Sequence, residues 1–183
     1  MLNTDDPLFN NLIIFTKKVM SALPSPIATA FHCEVFVTPK GDFVLCKIAS
    51  RAGGARVIDT IKYAYGYHLL EQGVLAQCNI KTKRPPFKRN MSAGWLLLPP
   101  RRGRITQVPS RLSSSEIIDF HVTAAVGDLY GQAESSVDQI LSAIVSGFSS
   151  EEVKNRISSL AYKLSTEFHW EDSEGKRRIL NEI

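Results

Sequence analysis

The stretch "FHCEVFVTPKGDFVLCKIASRAGG", residues 31–54, decides the fold of this chain. Two runs of β-forming residues flank a short Pro-Lys-Gly-Asp turn, and this arrangement predicts an antiparallel β-hairpin. If Lys40 and Gly41 form a two-residue turn, residues whose numbers sum to 81 face each other. A four-residue loop at 39–42 keeps this sum, whereas a bulged three-residue loop would shift it. Glu34 on the first strand then faces Lys47 on the second, so an acid and a base lie side by side.

The hairpin is predicted to have one polar face and one apolar face, because side chains alternate along a strand. The polar face carries His32 opposite Ala49, beside the acid and the base, and it looks into a cleft or solvent. We interpret the cysteines of the other face as small core residues, because no Cys-x-x-Cys or paired His/Cys spacing indicates a zinc site. That apolar face is the expected core side, and it carries Cys33, Val35, Val44, Cys46 and Ile48.

Predicted helical segments precede and follow the hairpin in the sequence. Asp6 before Pro7 predicts an N-cap and a first helical residue, and apolar residues then recur at helical spacing through 7–22. The glycine turn after the second strand leads into a helix at about 57–65, and "YHLLEQGVLAQC" indicates another. Residues 1–80 are therefore predicted to form a hairpin-and-helix core.

The rest of the chain is richer in β-strands, and the basic segment 81–90 is the predicted boundary. Four β-like pieces follow it, namely "AGWLLLP", "GRITQVP", "EIIDFHVTA" and "DQILSAIVSG". Ser149 and Glu152 form a capping box that predicts the start of a last helix, and the charged tail from Glu171 is predicted to fray. The sequence thus predicts an α+β fold, an antiparallel sheet with flanking helices, in which 81–183 is the β-rich lobe of one continuous domain.

Composition and charge narrow the classes of function. The 183 residues carry a net charge of +4 and are 44% hydrophobic, as in a globular protein. No apolar run approaches the ~20 residues of a membrane-spanning helix, so no membrane association is expected. Three cysteines, an odd number, favour a reduced protein and predict a cytoplasmic location. The basic segments 81–89 and 99–104 lack alternating aromatic residues, so we interpret them as solvated loops and do not expect a nucleic-acid partner.

Residues 31–70 resemble the second half of an ATP-grasp domain, as found in ATP-dependent carboxylate–amine ligases. That family has an acid on one strand, a turn, and Glu-x-Asn/Ala-x-Arg-x-Gly-Gly on the next strand, followed by a helix. Here the acid, the hairpin, the arginine, the two glycines and the helix occur in that order and at that spacing. The resemblance continues more loosely to about 168, through "AGWLLLPPRRGRI", "VGDLYG" and "GFSSEEV", and it implies an ATP-grasp C-terminal lobe.

The resemblance also implies a chemistry. In such enzymes two strand acids bind Mg²⁺ ions that bridge the phosphates of ATP, since Mg²⁺ prefers carboxylate oxygens. A small carboxylate substrate becomes an acyl phosphate, which an amine attacks. Glu34 matches the first metal acid, and Arg51 matches the catalytic arginine that contacts phosphate or the reacting carboxyl group. Gly53 and Gly54 match the turn that brings backbone N–H groups close to the substrate.

Two positions depart from the family pattern. Lys47 occupies the place of the second metal acid, and Ala49 stands where many members have a metal-binding Asn. An ammonium group cannot bind Mg²⁺. Lys47 therefore leaves two interpretations open: a cross-strand ion pair with Glu34, or a direct contact with a phosphate of ATP in place of one metal charge.

The position of the hairpin in the chain is the third departure. Only 33 residues precede Glu34, whereas the family places a lobe with a phosphate-binding lysine and the adenine pocket there. The resemblance therefore predicts an ATP- and metal-binding ligase-type protein that is incomplete as an isolated chain, whether a natural subunit, a degenerate copy or a truncated gene product. A partner chain or self-association would then supply the lobe. The alternative is a non-catalytic pseudoenzyme or interaction subunit that has lost the metal site.

Overall fold

A computed structural model describes residues 6–24, 28–83, 91–110, 115–135 and 137–172, together with the backbone of 177–179. Its strand pairs in these ranges are all antiparallel, so the predicted α+β class is confirmed. None of the helices described there is long and apolar enough to cross a membrane. In chain order the elements are α1 (Pro7–Ser21), β1 (His32–Val37), β2 (Phe43–Ala49), α2 (Val57–Tyr65), α3 (Leu69–Gln77), β3 (Ser92–Leu98), β4 (Gly103–Gln107), β5 (Ile117–Val122), β6 (Leu129–Tyr130), β7 (Leu141–Gly147), α4 (Ser150–Glu167), β8 (His169–Glu171) and β9 (Arg177–Ile179).

The chain divides into two compact units, Met1–Asn90 and Met91–Ile183. The first unit contains the β1–β2 hairpin and helices α1, α2 and α3. Helix α1 begins as predicted, because Asp6 Oδ1 accepts a hydrogen bond from the Leu8 amide at 2.8 Å. Helix α2 ends at Gly66, whose left-handed φ of 64° suits a residue without a Cβ atom.

The first unit buries few side chains. Helix α1 has no buried residue, although Phe15 packs against Phe43 of the hairpin with ring centroids 5.7 Å apart. Large apolar side chains of the hairpin reach the surface, with Phe36 63% exposed. The described part of this unit therefore has a thin core, and its buried residues are Gly53, Thr60, Ala64 and Gln72.

The second unit is built from two antiparallel sheets and helix α4. One sheet has the strand order β3–β7–β5 and the other has the order β6–β4–β8–β9. Helix α4 packs on the first sheet, where a Cβ atom added to Gly94 would lie 2.8 Å from Ile157 Cδ1. The glycine in β3 therefore allows the helix to approach the sheet closely.

Most of the buried apolar residues belong to the second unit. Strand β7 runs through its centre, and residues 141–145 are all buried. Phe168 and Trp170 pack with ring centroids 5.3 Å apart, and both are almost fully buried. Because burying a large apolar side chain contributes about 1.5–3 kcal/mol, this cluster stabilises the unit. It also contains Leu98, Ile105, Ala124, Ile140, Leu160 and Leu164.

Helix α4 begins at the predicted capping box. Ser149 Oγ accepts a hydrogen bond from the Glu152 amide at 3.1 Å. In return Glu152 Oε2 accepts a 2.6 Å hydrogen bond from the Phe148 amide, one residue before the cap. These contacts satisfy backbone donors that the first turn of a helix leaves without partners.

The predicted fraying of the tail from Glu171 is wrong for the described residues. His169–Glu171 forms β8, and 177–179 pairs with it as β9. Strand β8 also pairs with β4. The buried indole of Trp170 holds β8 against the core, so a charged composition after it does not prevent strand pairing.

Candidate functional site

The hairpin places the predicted acid and base opposite each other. Glu34 pairs with Lys47 and His32 pairs with Ala49, as predicted. The predicted turn is wrong, because the loop spans 38–42 and the pairs next to it have numbers that sum to 80. The side chains of Lys47 and Glu34 are 54% and 41% exposed. This face is therefore open enough for a ligand to reach both charged groups.

A β-bulge changes the register between Glu34 and the turn. Cys46 is the extra residue, and the pairs beyond it are Val35–Leu45, Phe36–Val44 and Val37–Phe43. The prediction of one apolar core face is therefore wrong, because Val44 and Cys46 are exposed. An additional residue in one strand moves the residues beyond it to the opposite face relative to the partner strand.

Glu34 is held by hydrogen bonds from two sides. Its Oε1 lies 3.1 Å from Lys47 Nζ and 3.0 Å from His32 Nε2. The hydrogen bond from Lys47, followed by that from His32, lowers the pKa of the Glu34 carboxyl group below its usual value of 4.5. The predicted cross-strand ion pair is thus present, while a contact between Lys47 and phosphate stays a prediction.

The glycine turn contacts this cluster through His32. Gly53 is buried, and a Cβ atom added to it would lie 2.9 Å from His32 Nδ1 and 2.9 Å from Val57 Cγ1. Gly54 is exposed and has open space around it. The left-handed residue of the turn is Ala55, with φ 53°. Packing therefore requires a glycine at position 53 and tolerates a side chain at position 54.

Arg51 lies two residues after β2 and is exposed. Its Nη1 donates a 2.8 Å hydrogen bond to the carbonyl of Ala52, which is a local contact. Arg56 instead forms an ion pair with Asp59 at 2.8 Å at the start of α2. The structure thus joins Glu34 to Lys47, and it places Arg51 in the same hairpin-and-turn segment without a bond to them.

The described side chains of this face do not fit a magnesium site. Mg²⁺ is usually held by one or two carboxylates together with phosphates. Here the carboxylate of Glu34 is bound to the ammonium group of Lys47, whose charge repels a dication, and the side chain of Ala49 has no oxygen. Across the described part of the chain, no group of three or more His, Cys, Asp or Glu side chains could hold a metal ion.

Two further polar residues have structural roles. His68 caps α3, because its Nδ1 accepts a 3.3 Å hydrogen bond from the amide three residues later. Arg104, in the basic segment 99–104, donates a 2.7 Å hydrogen bond to the backbone carbonyl of Gly127. Residues 84–89 of the other basic segment lie outside the described residues, so the expectation about nucleic acid stays a prediction.

Known proteins resemble this chain in structure rather than in sequence. No protein-family model matches the sequence, and no curated protein matches it either. The crystal structure of L-amino acid ligase from Bacillus licheniformis matches with a TM-score of 0.75 at 14% identity, over 94% of this chain and 43% of the ligase. The structure of phosphoribosylglycinamide synthetase from Anaerococcus prevotii matches with a TM-score of 0.72 at 13% identity, over 88% of this chain and 42% of that protein.

A third solved structure also matches this chain at low sequence identity. The structure of N5-carboxyaminoimidazole ribonucleotide synthetase from Thermotoga maritima gives a TM-score of 0.64 at 17% identity, over 88% of this chain and 43% of that protein. All three are ATP-grasp ligases. The chain has the ATP-grasp fold. It spans less than half the length of each of these ATP-grasp proteins, which agrees with the C-terminal half that the sequence predicts.

Proposed function

We propose that this chain is the C-terminal, nucleotide-binding lobe of an ATP-grasp protein of the carboxylate–amine ligase type. Its ligands would be ATP and a small carboxylate or amine substrate, and its location the cytoplasm. One observation carries the proposal. The hairpin, Arg51, the glycine turn and helix α2 follow one another in the family's order, within a fold shared with three known ligases and synthetases.

Each site residue has a proposed role. The exposed guanidinium of Arg51 donates hydrogen bonds to a phosphate or to the reacting carboxyl group, as its planar, permanently charged fork favours. The ammonium of Lys47 supplies a second positive charge, and the backbone N–H groups of Gly53 and Gly54 line the turn. Glu34 has no proposed role as a magnesium ligand, because it binds Lys47 instead.

The proposed reaction has two steps. The terminal phosphoryl group of ATP moves to a substrate carboxylate oxygen, which gives an acyl phosphate and ADP. An amine then attacks the acyl carbon and phosphate leaves. Positive groups such as Arg51 would stabilise the negative charge on the transferring phosphoryl oxygens.

The proposal requires further residues from elsewhere. The matched ligases extend well beyond the part that this chain covers. We propose that a partner chain or a second copy of this chain completes the nucleotide site. The exposed apolar residues of the hairpin, among them Phe36 at 63% and Val44 at 48%, support a contact of this kind.

A second candidate function is a non-catalytic interaction subunit that keeps the fold. The contact between Glu34 and Lys47 at 3.1 Å favours it, because an ion pair stands where the family pattern has two metal acids. The same exposed hairpin side chains would then be its binding surface.

Calorimetric titration of the chain with ATP separates the two candidates. We expect Arg51→Gln to weaken ATP binding about 10- to 100-fold, the usual range for loss of a charged hydrogen bond. Lys40→Gln is the matched control, because it removes one exposed positive charge from the turn of the same hairpin. If ATP binds neither to the chain alone nor to the chain together with a completing partner, the interaction subunit is favoured. Equal affinities of the two variants would contradict the role of Arg51.

A further inference from the structure

We propose that the hairpin binds the phosphate groups of its ligand directly and prefers them without a metal ion. The ammonium group of Lys47 is the binding group, and Glu34 holds it in place instead of serving as a metal ligand. This inference rests on the proposed function, since it names the form of the ligand that the same site accepts.

Two neighbouring side chains fix the position of the Glu34 carboxylate. A single oxygen, Oε1, lies 3.1 Å from Lys47 Nζ and 3.0 Å from His32 Nε2. A carboxylate held from two sides is a fixed anchor, and a flexible lysine side chain is ordered by binding to it. Glu34 and His32 thus act as positioning residues for the ammonium group.

Lys47 can donate hydrogen bonds to an anion in addition to its contact with Glu34. An ammonium group has three N–H donors and no acceptor, and one donor is sufficient for the contact with Glu34. The Lys47 side chain is 54% exposed. A phosphate oxygen arriving from solvent can therefore accept a hydrogen bond from Lys47 while the ion pair is kept.

The hairpin face that carries Glu34 and Lys47 is more positive than the family pattern. Glu34 and Lys47 together are neutral, and Arg51, which follows β2 by two residues in the chain, carries one further positive charge. In the family pattern an acid stands at position 47, so the lysine makes the same face more positive by two charges. A more positive face binds the more negative, metal-free polyphosphate better than its Mg²⁺ complex, and it repels free Mg²⁺.

The glycine turn supports the His32 side chain that binds Glu34. His32 fits against Gly53, where a Cβ atom would approach His32 Nδ1 to 2.9 Å. Gly53 is buried in the turn that leads into α2. The position of the ammonium group is therefore linked, through Glu34 and His32, to the backbone of the glycine turn.

Titration with inorganic triphosphate tests the inference, because this probe has no adenine and needs no adenine pocket. The natural chain is titrated in EDTA and again in excess Mg²⁺. We expect binding in EDTA that Mg²⁺ weakens about 10-fold or more. Lys47→Gln should bind triphosphate about 10- to 100-fold more weakly in EDTA, whereas Lys47→Arg should retain binding within about 3-fold, since a guanidinium also donates to phosphate. The control Lys40→Gln should match the natural chain.

Lys47→Glu is the converse variant, because it restores the family's second acid. We expect it to lose triphosphate binding in EDTA and to bind only when Mg²⁺ is present. Circular dichroism confirms that each variant is folded, and exposed side chains such as Lys47 are rarely essential for folding.

The outcomes separate this inference from the proposed function. Triphosphate or ATP binding that requires Mg²⁺ in the natural chain would overturn the inference and leave the proposed function standing. ATP binding without any triphosphate binding would have the same meaning. If neither ligand binds under either condition, the inference fails, and the proposed function fails with it only if ATP also does not bind when the completing partner chain is present.

Discussion

At the scale of single residues, one substitution changes the chemistry of the hairpin. By its resemblance to the ATP-grasp pattern, the sequence predicts a first metal acid at Glu34, and Lys47 rather than a second acid lies across from it. An exposed ion pair contributes little to stability, because water screens the two charges. Stability is therefore a weak reason for a lysine at this position, and the binding of an anionic ligand is a stronger one.

The pKa of Glu34 gives a test at this scale. Lys47 is the largest cause of the lowered pKa and His32 the second, so Lys47→Gln should raise the Glu34 pKa towards 4.5 more than His32→Ala does. A carboxyl group with a lowered pKa stabilises the folded state above its unfolded pKa, and this contribution is lost as the pH falls through the folded value. The natural chain should thus lose more stability than Lys47→Gln below about pH 4.5.

Carbon-13 NMR of the Glu34 carboxyl group during an acid titration measures this shift. Acid unfolding of the natural chain and of Lys47→Gln, followed by circular dichroism, measures the change in stability. An identical Glu34 titration in the natural chain and in Lys47→Gln would show that the ion pair is absent in solution.

At the scale of secondary structure elements, close backbone contacts fix how strands meet. Gly103 begins β4 with φ 138°, and a Cβ atom there would lie 2.6 Å from the carbonyl oxygen of Glu171 at the end of β8. Both the dihedral angle and the contact exclude a side chain. The pairing of β4 with β8 therefore depends on a glycine at this point.

Gly103→Ala should lower the free energy of unfolding of the second unit by about 2–4 kcal/mol, from a strained backbone and overpacking. Gly131→Ala is the matched control, because it lies in open space and is exposed, and we expect a change of about 0.5 kcal/mol or less. Urea denaturation followed by tryptophan fluorescence measures both, because Trp95 and the buried Trp170 both belong to the second unit. Equal midpoints for the two variants would contradict the close contact between β4 and β8.

At the scale of the whole molecule, burial is concentrated in the second unit. Residues 141–145 of β7 are all buried, whereas the β1–β2 hairpin has no buried residue and pairs with no other strand in the described ranges. An isolated two-stranded hairpin is marginally stable in water. The element that carries the candidate site is therefore the less stable one.

Amide hydrogen exchange measures this difference. We expect the amides of β7 to exchange at least about 100-fold more slowly than those of β1 and β2, because exchange from a thin, exposed element needs only local opening. ATP or triphosphate, if bound at the hairpin, should slow exchange there and leave β7 unchanged. Equal protection of β7 and the hairpin in the free chain would contradict an uneven distribution of stability.

The sequence by itself determined those features that depend on local chemistry. The N-cap at Asp6 and the capping box at Ser149 follow from nearby residue types. The pairing of Glu34 with Lys47 was predicted from turn length, but it occurs because the bulge at Cys46 offsets a loop that is one residue longer than expected. The α+β class and the likeness to half of an ATP-grasp ligase also followed from the order of short motifs. The two helix caps were predictable because hydrogen bonds between neighbouring residues specify them.

Only the tertiary structure decided which side chains are buried and which glycine is essential. The bulge at Cys46 moved Val44 to the surface, although strand alternation had placed both in a core face. The turn brought Gly53 against His32, and pairing with β4 made a strand of His169–Glu171. Such contacts join residues far apart in the chain, and their distances depend on the packing of whole elements, which local sequence patterns do not encode.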